Sequence, residues 1–551
     1  MIFEVTSDQI ERLDENQVVD LLRRLIGAEL NKNSIPLRSG TAPAQITIPD
    51  GGDDARVSWS GGPNETDWVP SRFTVFQSKK GTTSPAGLKA ETQTKSSQGT
   101  NAPQLSEALE EAISQSGAYV IITPTPVVGT NVDRRIKAIR EGINDTGNDP
   151  TLLSSIQIYD CNRLAAWANT HPSVALWLNA IRRDVHLGGF QTFEDWGRAP
   201  EISEIAFQHS DDTRFIAKGS EIQTWQNDDA SISREKSFDE IREVISTFLI
   251  TRGNAVRVIG PSGYGKTRFV HQLIASHATL PQDVLSESQI IYCFYEDVKD
   301  RLLNIAREIA DTGSRAVLIV DDCPDPVHTR LSEIAHRDGS RCHLVTIGVE
   351  TKTQGVRRNL IVELNAASNK LIGHIAEATN KQMSEKNALL IRDLSQGFPR
   401  MAVFASRALE GGDEELSSVE TLISRIVWGE HEIDQSAFES LQLLSLFTII
   451  GMENDAAKEL GEIGNYCGKT ARQMFNELRR FAERGVLFRQ GDYGEVQPLP
   501  LAMRLSNQWL ESNPAGTLED LYRSLSEELK LRMVGRLRWV SWSDKVLNFG
   551  C

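Results

Sequence analysis

The sequence predicts a multidomain α/β protein built on a parallel sheet with helices on both faces, and three observations predict it. The first is Gly260-Pro-Ser-Gly263-Tyr-Gly265-Lys266-Thr267, a complete G-x-x-x-x-G-K-[ST] loop between the apolar run Ala255–Ile259 and the helical pattern Arg268–Ile274. The second is Ala316-Val-Leu-Ile-Val-Asp321-Asp322, five apolar residues ending in two acids, as in a strand buried on both faces. The third is the alternation of strand and helix patterns from about 231 to 425, the mark of βαβ units.

The remaining elements follow in chain order. Residues 1–185 mix helix and strand: a helical pattern at Val18–Ile26, strand-like runs at Ala44–Ile48, Ala55–Trp59 and Phe73–Phe76, a polar loop from Gly81 to Asn101, a buried strand from Ala118, a short strand at Ile156–Tyr159 and a helix at Asn162–Asn169. Trp167 and Trp177 stand in apolar helical contexts and read as core. Residues 186–230 carry little periodicity and many Gly, Asp and Ser residues, so they read as a connector. Residues 430–510 read as helices followed by a hairpin around Gly491-Asp-Tyr-Gly494, and 511–551 as one amphipathic helix, Leu518–Leu529, with a basic, Trp-bearing tail.

Composition bounds the function. The 551 residues suffice for three or four domains of about 150 each. A formal net charge of −16 excludes a surface coated for non-specific nucleic-acid binding and leaves room for a local basic site. No apolar stretch approaches the ~20 residues of a membrane span, and Met1-Ile-Phe-Glu-Val-Thr is no signal peptide. The six cysteines are scattered without a C-x-x-C pair, which fits reduced thiols. The expectation is a cytoplasmic protein with no membrane partner.

The loop at 260–267 carries the strongest chemistry. Gly260, Gly263 and Gly265 let successive backbone N–H groups curl around phosphate oxygens, and the following helix points its positive end at them. Lys266 is expected to reach the β- and γ-phosphates of ATP and Thr267 to hold Mg²⁺. Asp321 is the second expected Mg²⁺ ligand, and Asp322 the group that polarises an attacking water. Thr346, near the end of the next strand, stands where a γ-phosphate sensor would lie; a satisfied strand-end threonine fits equally.

With Gly397-Phe-Pro399 downstream, these elements resemble the nucleotide site of signal-transducing ATPases of the STAND class, in which such a proline packs near the adenine and ribose. One departure is that Ile347-Gly-Val follows Thr346, where STAND proteins often carry an arginine. Helices and hairpin at 430–510 resemble the STAND winged helix, an internal clamp on bound ADP in that class; Arg472, Arg479, Arg480 and Arg484 keep DNA reading open as an alternative.

The N-terminal block resembles Mrr-like nucleases of the PD-(D/E)xK kind, which implies a restriction-endonuclease-like α/β domain. The residues that carry the likeness are Gly51-Gly-x-Asp54-Ala-x-Val, then Gln77-x-Lys79, then Ile158-Tyr-Asp-Cys-Asn-Arg-Leu-Ala-Ala-Trp167 and His171-Pro-Ser-Val-Ala-Leu-Trp177. In that pattern Asp54 is a hard oxygen ligand for Mg²⁺, Gln77 and the Ser78 carbonyl complete the shell, and Lys79 orients the attacking water. The resemblance also places Glu29 of the first helix beside the metal. The bare letters fit a Gly-Asp turn before a strand with a surface lysine as well.

Taken whole, the order resembles the bacterial antiviral STAND proteins (Avs-type). That resemblance implies ATP/ADP-controlled, tetramer-like homo-oligomerisation, a viral protein as trigger and double-stranded DNA as substrate. It also implies that 511–551 opens a helical sensor region cut short. A STAND transcription regulator and an ATP-driven restriction-type nuclease are the rival readings; helicase motifs for the second are not found in the sequence.

Overall fold

The computed structural model describes residues 3–33, 35, 40–41, 55–79, 84–94, 103–127, 129–181, 188–203, 207, 215–218, 235–249, 253–275, 289–313, 315–351, 359–410, 415–429, 432–514, 516–540 and 546. By internal contact the chain forms two units. One comprises Met1–Ser203, Ala217–Ile259 and Thr267–Glu363; the other comprises Glu204–Ile216, Gly260–Lys266 and Leu364–Cys551.

After a short helical segment at Ser7–Glu11, the first unit continues with α1 (Glu15–Lys32), fixed at its start by a capping box in which Asp14 and Gln17 each accept the other's backbone N–H, at 2.8 and 2.9 Å. Its sheet runs β1 (Gly40–Thr41), β2 (Ala55–Ser58), β3 (Phe73–Ser78), β4 (Ala118–Ile122) and β5 (Ser155–Tyr159), in that spatial order. The pair β2–β3 is antiparallel, while β3–β4 and β4–β5 are parallel. Alternation along the strands divides two cores. Phe76, Val120 and Ile122 pack with the α1 leucines and Trp167, whereas Val75, Tyr119 and Ile121 pack with Leu88, Leu109 and Ile139. The second group comes from α2 (Pro85–Glu91), α3 (Glu107–Ser114) and α4 (Thr130–Asp145).

Two departures from the sequence reading belong here. Part of the expected polar loop 81–101 is the helix α2, because the Ser84 hydroxyl caps Gly87 N at 3.1 Å, Pro85 starts the helix and Leu88 is buried. The expected strand Ala44–Ile48 lies outside the described residues. After β5 come α5 (Cys161–Asn169) and α6 (Pro172–Ile181), which bury Trp167 and Trp177.

The same unit carries a second, larger sheet. Residues read as a connector supply β6 (Phe190–Gln191), α7 (Phe193–Gly197) and β7 (Phe215–Lys218), so Thr192 capping and the apolar Phe190, Phe193 and Trp196 give this polar stretch more structure than its composition suggests. There follow β8 (Glu235–Lys236), α8 (Phe238–Phe248), β9 (Ala255–Ile259), α9 (Lys266–Ala275), β10 (Ile290–Phe294), α10 (Leu302–Asp311), β11 (Ala316–Asp321), α11 (Asp325–Ala335), β12 (Cys342–Gly348) and β13 (Asn359–Leu364). The spatial order is β8-β7-β13-β9-β12-β11-β10-β6. Strands β13, β9, β12, β11 and β10 are mutually parallel, with Ala255 opposite Leu344 and Leu318 opposite the same residue. Because β9 precedes its neighbours β12 and β13 in the chain, the order reverses around it, and its carboxyl end borders the crevice an open α/β sheet uses for ligands.

The second unit is helical: α12 (Asn369–Thr379), α13 (Glu385–Ser395), α14 (Pro399–Ala408), α15 (Val419–Trp428), α16 (Gln435–Leu444), then β14 (Ile450–Gly451), α17 (Ala457–Tyr466), α18 (Ala471–Glu483), β15 (Leu487–Gln490), β16 (Tyr493–Val496), α19 (Leu499–Ser512), α20 (Thr517–Ser524) and α21 (Glu527–Leu537). The hairpin β15–β16 turns on Gly491-Asp492 and pairs on its other side with β14. The sequence reading of one helix over 518–529 is corrected: the chain breaks at Leu525, where Ser526 N is bound by Glu462 at 3.0 Å, and restarts as α21. That helix is part of the core and no free tail. Arg536 is 1% exposed, donating to Phe447 O at 3.2 Å and to Glu495 at 3.3 Å. Truncating it strands an acceptor and empties volume, so Arg536→Ala is expected to cost about 3 kcal/mol of unfolding free energy, read as a lowered denaturant midpoint. A midpoint equal to wild type would show that this contact does not hold the hairpin.

Candidate functional site

The chain leaves β9 at Ile259 and enters the glycine loop. Gly260, Gly263 and Gly265 take φ of 150°, 90° and 82°, conformations that strain any residue with a Cβ. Space adds to torsion at Gly260, where a Cβ would stand 3.1 Å from Leu364 O, whereas at Gly263 a Cβ would meet Arg400 Cβ at an ordinary 3.4 Å and the torsion alone selects glycine. Arg400 N donates to Gly263 O at 3.2 Å, and the Tyr264 ring meets Phe398 edge to face at 4.6 Å. Pro399 is the first residue of α14, so the Gly397-Phe-Pro399 element presents the residues on either side of the proline to the loop. Lys266 opens α9, and its Nζ donates to Gly260 O at 2.8 Å and Pro261 O at 2.9 Å.

Asp321 closes β11 and is 9% exposed. Its Oδ2 accepts from the Thr267 hydroxyl at 2.7 Å and the Tyr292 hydroxyl at 3.1 Å, and its Oδ1 from Asp322 N at 2.8 Å. Burial pushes the carboxyl pKa up; these three hydrogen bonds pull it back, and the balance stays above the ordinary aspartate value. Asp322 is exposed and left-handed at φ 51°, a conformation that turns the chain sharply out of the sheet. The structure therefore joins Thr267 to Asp321. A hydroxyl and a carboxylate in contact are hard oxygen ligands suited to Mg²⁺, and a glycine loop opening a helix suits a phosphate chain; these residues fit both groups.

Thr346 is a correction. It is fully buried, and its hydroxyl lies 2.8 Å from His328 Nδ1 and 3.3 Å from the Arg257 guanidinium that donates to it. Side chains alternate across a strand, so Thr346 shares the face of β12 that Leu344 presents to α11, whereas Asp321 shares the opposite face with Val317 and bonds α9. A γ-phosphate-facing hydroxyl is not what the fold makes of it.

Arg257 is the residue sequence reasoning missed. It is 1% exposed in β9, and its second guanidinium nitrogen donates to Glu350 O at 3.2 Å. Gly348 lies so near that a Cβ there would be 2.2 Å from Arg257 Nη2. The available signal was a lone arginine inside Ala255-Val-Arg-Val-Ile, since a charge in a strand buried on both faces needs built partners. Burial lowers the pKa of Arg257, pushes the neighbouring Cys323 thiol up to about 12, and lowers His328 to about 4.

In the N-terminal sheet, Gln77 is 6% exposed and accepts from the Tyr119 hydroxyl. Lys79 pairs with Glu91 at 2.8 Å, at the end of α2, on the face that Gln77 and Tyr119 share. Glu29 is a second correction. It is fully buried on the other face, 3.3 Å from His171 Nε2 and receiving Asn33 Nδ2 at 3.1 Å, because α1 packs on the Phe76 side. Burial raises its pKa, yet the nearby His171 and Thr66 side chains and the Lys32 charge outweigh it and leave the carboxyl below its usual range. Burial lowers the pKa of His171. Asp54 lies outside the described residues. Among the described residues no three His, Cys, Asp or Glu groups converge as a metal site.

No protein-family model matches the chain, and no curated protein matches it. Its likenesses are to solved structures. One is a Signal Transduction ATPase with Numerous Domains (STAND) protein with a tetratricopeptide repeat sensor, PH0952 from Pyrococcus horikoshii, at 13% identity over 55% of this chain and 47% of that one, with a TM-score of 0.26. Another is a Walker-type ATPase of Pyrococcus abyssi, at 10% identity over 48% and 95%, TM-score 0.26. A third is the HORMA:CdnC:Trip13 complex of E. coli MS115-1, at 12% identity over 39% and 94%, TM-score 0.24. The chain spans about half the length of the first of these. Likenesses at this level carry no functional argument, which rests on the side chains above.

The buried histidine gives a pH test. His328 has a folded pKa below its ordinary 6.5, so the unfolded chain takes up a proton first as pH falls. Stability is then lost between pH 6.5 and about 4, at about 1.4 kcal/mol per pH unit. The stability difference between wild type and His328→Gln, followed by denaturation at several pH values, is expected to shrink over that window; a difference independent of pH would contradict the buried neutral imidazole.

Proposed function

We propose that this protein binds ATP with Mg²⁺ at residues 260–267 and uses the nucleotide as a switch of the STAND kind. The observation that carries the reading is the 2.7 Å contact between the Thr267 hydroxyl and the buried Asp321 carboxylate, at the end of a parallel strand and at the head of the helix that follows the glycine loop. Thr267 and Asp321 would hold Mg²⁺, which supplies a positive charge against the β- and γ-phosphates. Loop N–H groups would bind phosphate oxygens and Lys266 would offset their charge. Asp322, exposed beside Asp321, would orient a water.

What the switch controls is inferred from the rest of the chain. Within the second unit the three-stranded sheet and its helices have the order of a winged helix, and its arginines support a clamp in preference to a DNA reader. Arg484 donates to Arg425 O and Ile426 O at 3.3 and 3.1 Å; Arg480 pairs with Asp434 at 3.2 Å and lies over Trp428; Arg479 pairs with Glu483. Arg484 is thus committed to α15 and Arg480 to the residue that caps α16, whereas Arg472 and Arg479 stay exposed on α18, so the transcription-regulator reading keeps only part of its basic face.

The N-terminal domain, 1–185, is proposed to be the effector, a Mg²⁺-dependent nuclease of Mrr kind acting on double-stranded DNA. Its support is the order helix, antiparallel strand pair, helices, parallel strand, with Gln77 and Lys79 on one face. Asp54 is the proposed acid; Glu29, on the other face, takes no part. In full the reading is an antiviral, cytoplasmic ATPase whose homo-oligomers, tetramer-like, assemble when a viral protein is sensed and so bring weak nuclease sites together.

Two measurements test it. Lys266→Ala is expected to lower nucleotide affinity at least ~100-fold, about 2.7 kcal/mol, and to abolish ATP-dependent assembly by size exclusion; unchanged assembly would contradict nucleotide gating. Plasmid degradation with Mg²⁺ by activated protein is expected to be lost in Asp54→Ala and in Lys79→Ala while Glu29→Gln retains it. Equal degradation by all would sink the nuclease assignment.

A further inference from the structure

The oxygen that joins Thr267 to Asp321 has a third partner that no motif announces. Tyr292, 6% exposed in β10, donates its hydroxyl to Asp321 Oδ2 at 3.1 Å, the same atom that accepts from Thr267. Its ring is held as well as its hydroxyl. Trp196, 1% exposed in α7, stacks on it with centroids 4.2 Å apart and an interplanar angle of 10°. The indole also meets the His271 ring edge to face at 4.9 Å, and Phe193 stacks on that imidazole at 4.5 Å while meeting the indole edge to face at 6.1 Å. His271 lies four residues after Thr267 on α9, so one helix face carries both the hydroxyl ligand and the aromatic bracket.

The short helix α7 is fixed in this position. Thr192 caps it by accepting Asp195 N at 3.1 Å, Gln191 stands opposite Tyr292 in the β6–β10 ladder, and Gly197 comes so close to His271 that a Cβ would be 3.1 Å from its Nε2. Glu194, on the same helix, is bonded to Arg24 of α1, whose guanidinium lies 4.5 Å over the Trp177 ring. A continuous set of contacts therefore runs from Thr267 and Asp321 through Tyr292 and Trp196 to Glu194, Arg24 and the N-terminal sheet's first helix. All of it lies within one compact unit.

We propose that Tyr292 is a positioning residue of the nucleotide site, clamped by Trp196, and that residues 190–197 respond through it to whatever Asp321 binds. The chemistry is competition for one oxygen. A cation held by Thr267 and Asp321 draws on the lone pairs of Oδ2 that the Tyr292 hydroxyl uses, and the phenol cannot shift without disturbing the indole stacked flat against it. A ligand changes a distant segment only through such a difference in contacts. The proposal rests on the reading of Thr267 and Asp321 as the nucleotide–metal pair.

The test is hydrogen–deuterium exchange of the full chain with and without Mg·ADP, alongside ADP affinity and steady-state ATP turnover, for wild type, Tyr292→Phe, Trp196→Phe and Trp196→Ala. In wild type, Mg·ADP is expected to change exchange at residues 190–197 by about tenfold. Tyr292→Phe keeps the ring and should still bind ADP, with an affinity shifted by no more than the roughly tenfold coupling it removes, yet lose that response and lower kcat. Trp196→Phe, which can still stack, should retain the response, and Trp196→Ala should lose it. A wild type that binds ADP without any change at 190–197 overturns the proposal, as does a Tyr292→Phe protein with the full response. A wild type that binds no nucleotide overturns the underlying reading instead, and the proposal with it.

Discussion

A carboxylate buried at the end of a parallel strand is costly unless every lone pair is used, and Asp321 is the group around which the first unit is arranged. Taking it out of water raises its pKa, and Thr267, Tyr292 and the Asp322 amide answer that cost from three directions. Each comes from a different element: the helix after the glycine loop, the neighbouring strand and the sharp left-handed turn beyond. The parallel ladder is what makes this possible, since Tyr292 of β10 stands opposite Ile319, two residues before Asp321 on β11, so alternation puts both side chains on one side of the sheet within a diagonal step.

The opposite face of the same sheet solves a second burial problem. Arg257 donates to the Thr346 hydroxyl, which also bonds His328, beneath α11, with Gly348 leaving room for the guanidinium. One side of the strand ends thus holds an acid poised for a cation, and the other a cation locked in place. The fixed charge tethers the chain at Glu350, two residues beyond β12, so the segment leaving that strand is positioned without using any ligand of the Thr267–Asp321 pair.

How far this could be read from the sequence follows from periodicity. Val256–Ile259, Ala316–Val320 and Cys342–Ile347 are apolar enough to announce buried parallel strands, and the glycine loop announces its own turn. The hairpin at 487–496 was legible from Gly491 between two β-type runs. The segment 190–197 was not, because a two-residue strand and a five-residue helix leave no period to count, and its ring contacts with Phe3, His271 and Tyr292 are long-range. Helix α2 hid in a stretch whose Gly, Ser and Thr content spoke for a loop. Thr346 and Glu29 were misplaced for one reason: spacing along a chain says which residues share an element, while the face they occupy is decided by what packs against it. Thr346 went to α11, and Glu29 to His171.

The central claim is that Thr267 and Asp321 act as one unit in holding a metal–nucleotide pair. A double-mutant cycle on ATP affinity, measured by titration calorimetry with and without Mg²⁺ for wild type, Thr267→Ala, Asp321→Asn and the double variant, tests it most directly. The account predicts that Mg²⁺ tightens binding in the wild type alone and that the double variant loses no more than the worse single one, a coupling of about 1–3 kcal/mol. Strictly additive losses, or a Mg²⁺ effect that survives in both single variants, would contradict it.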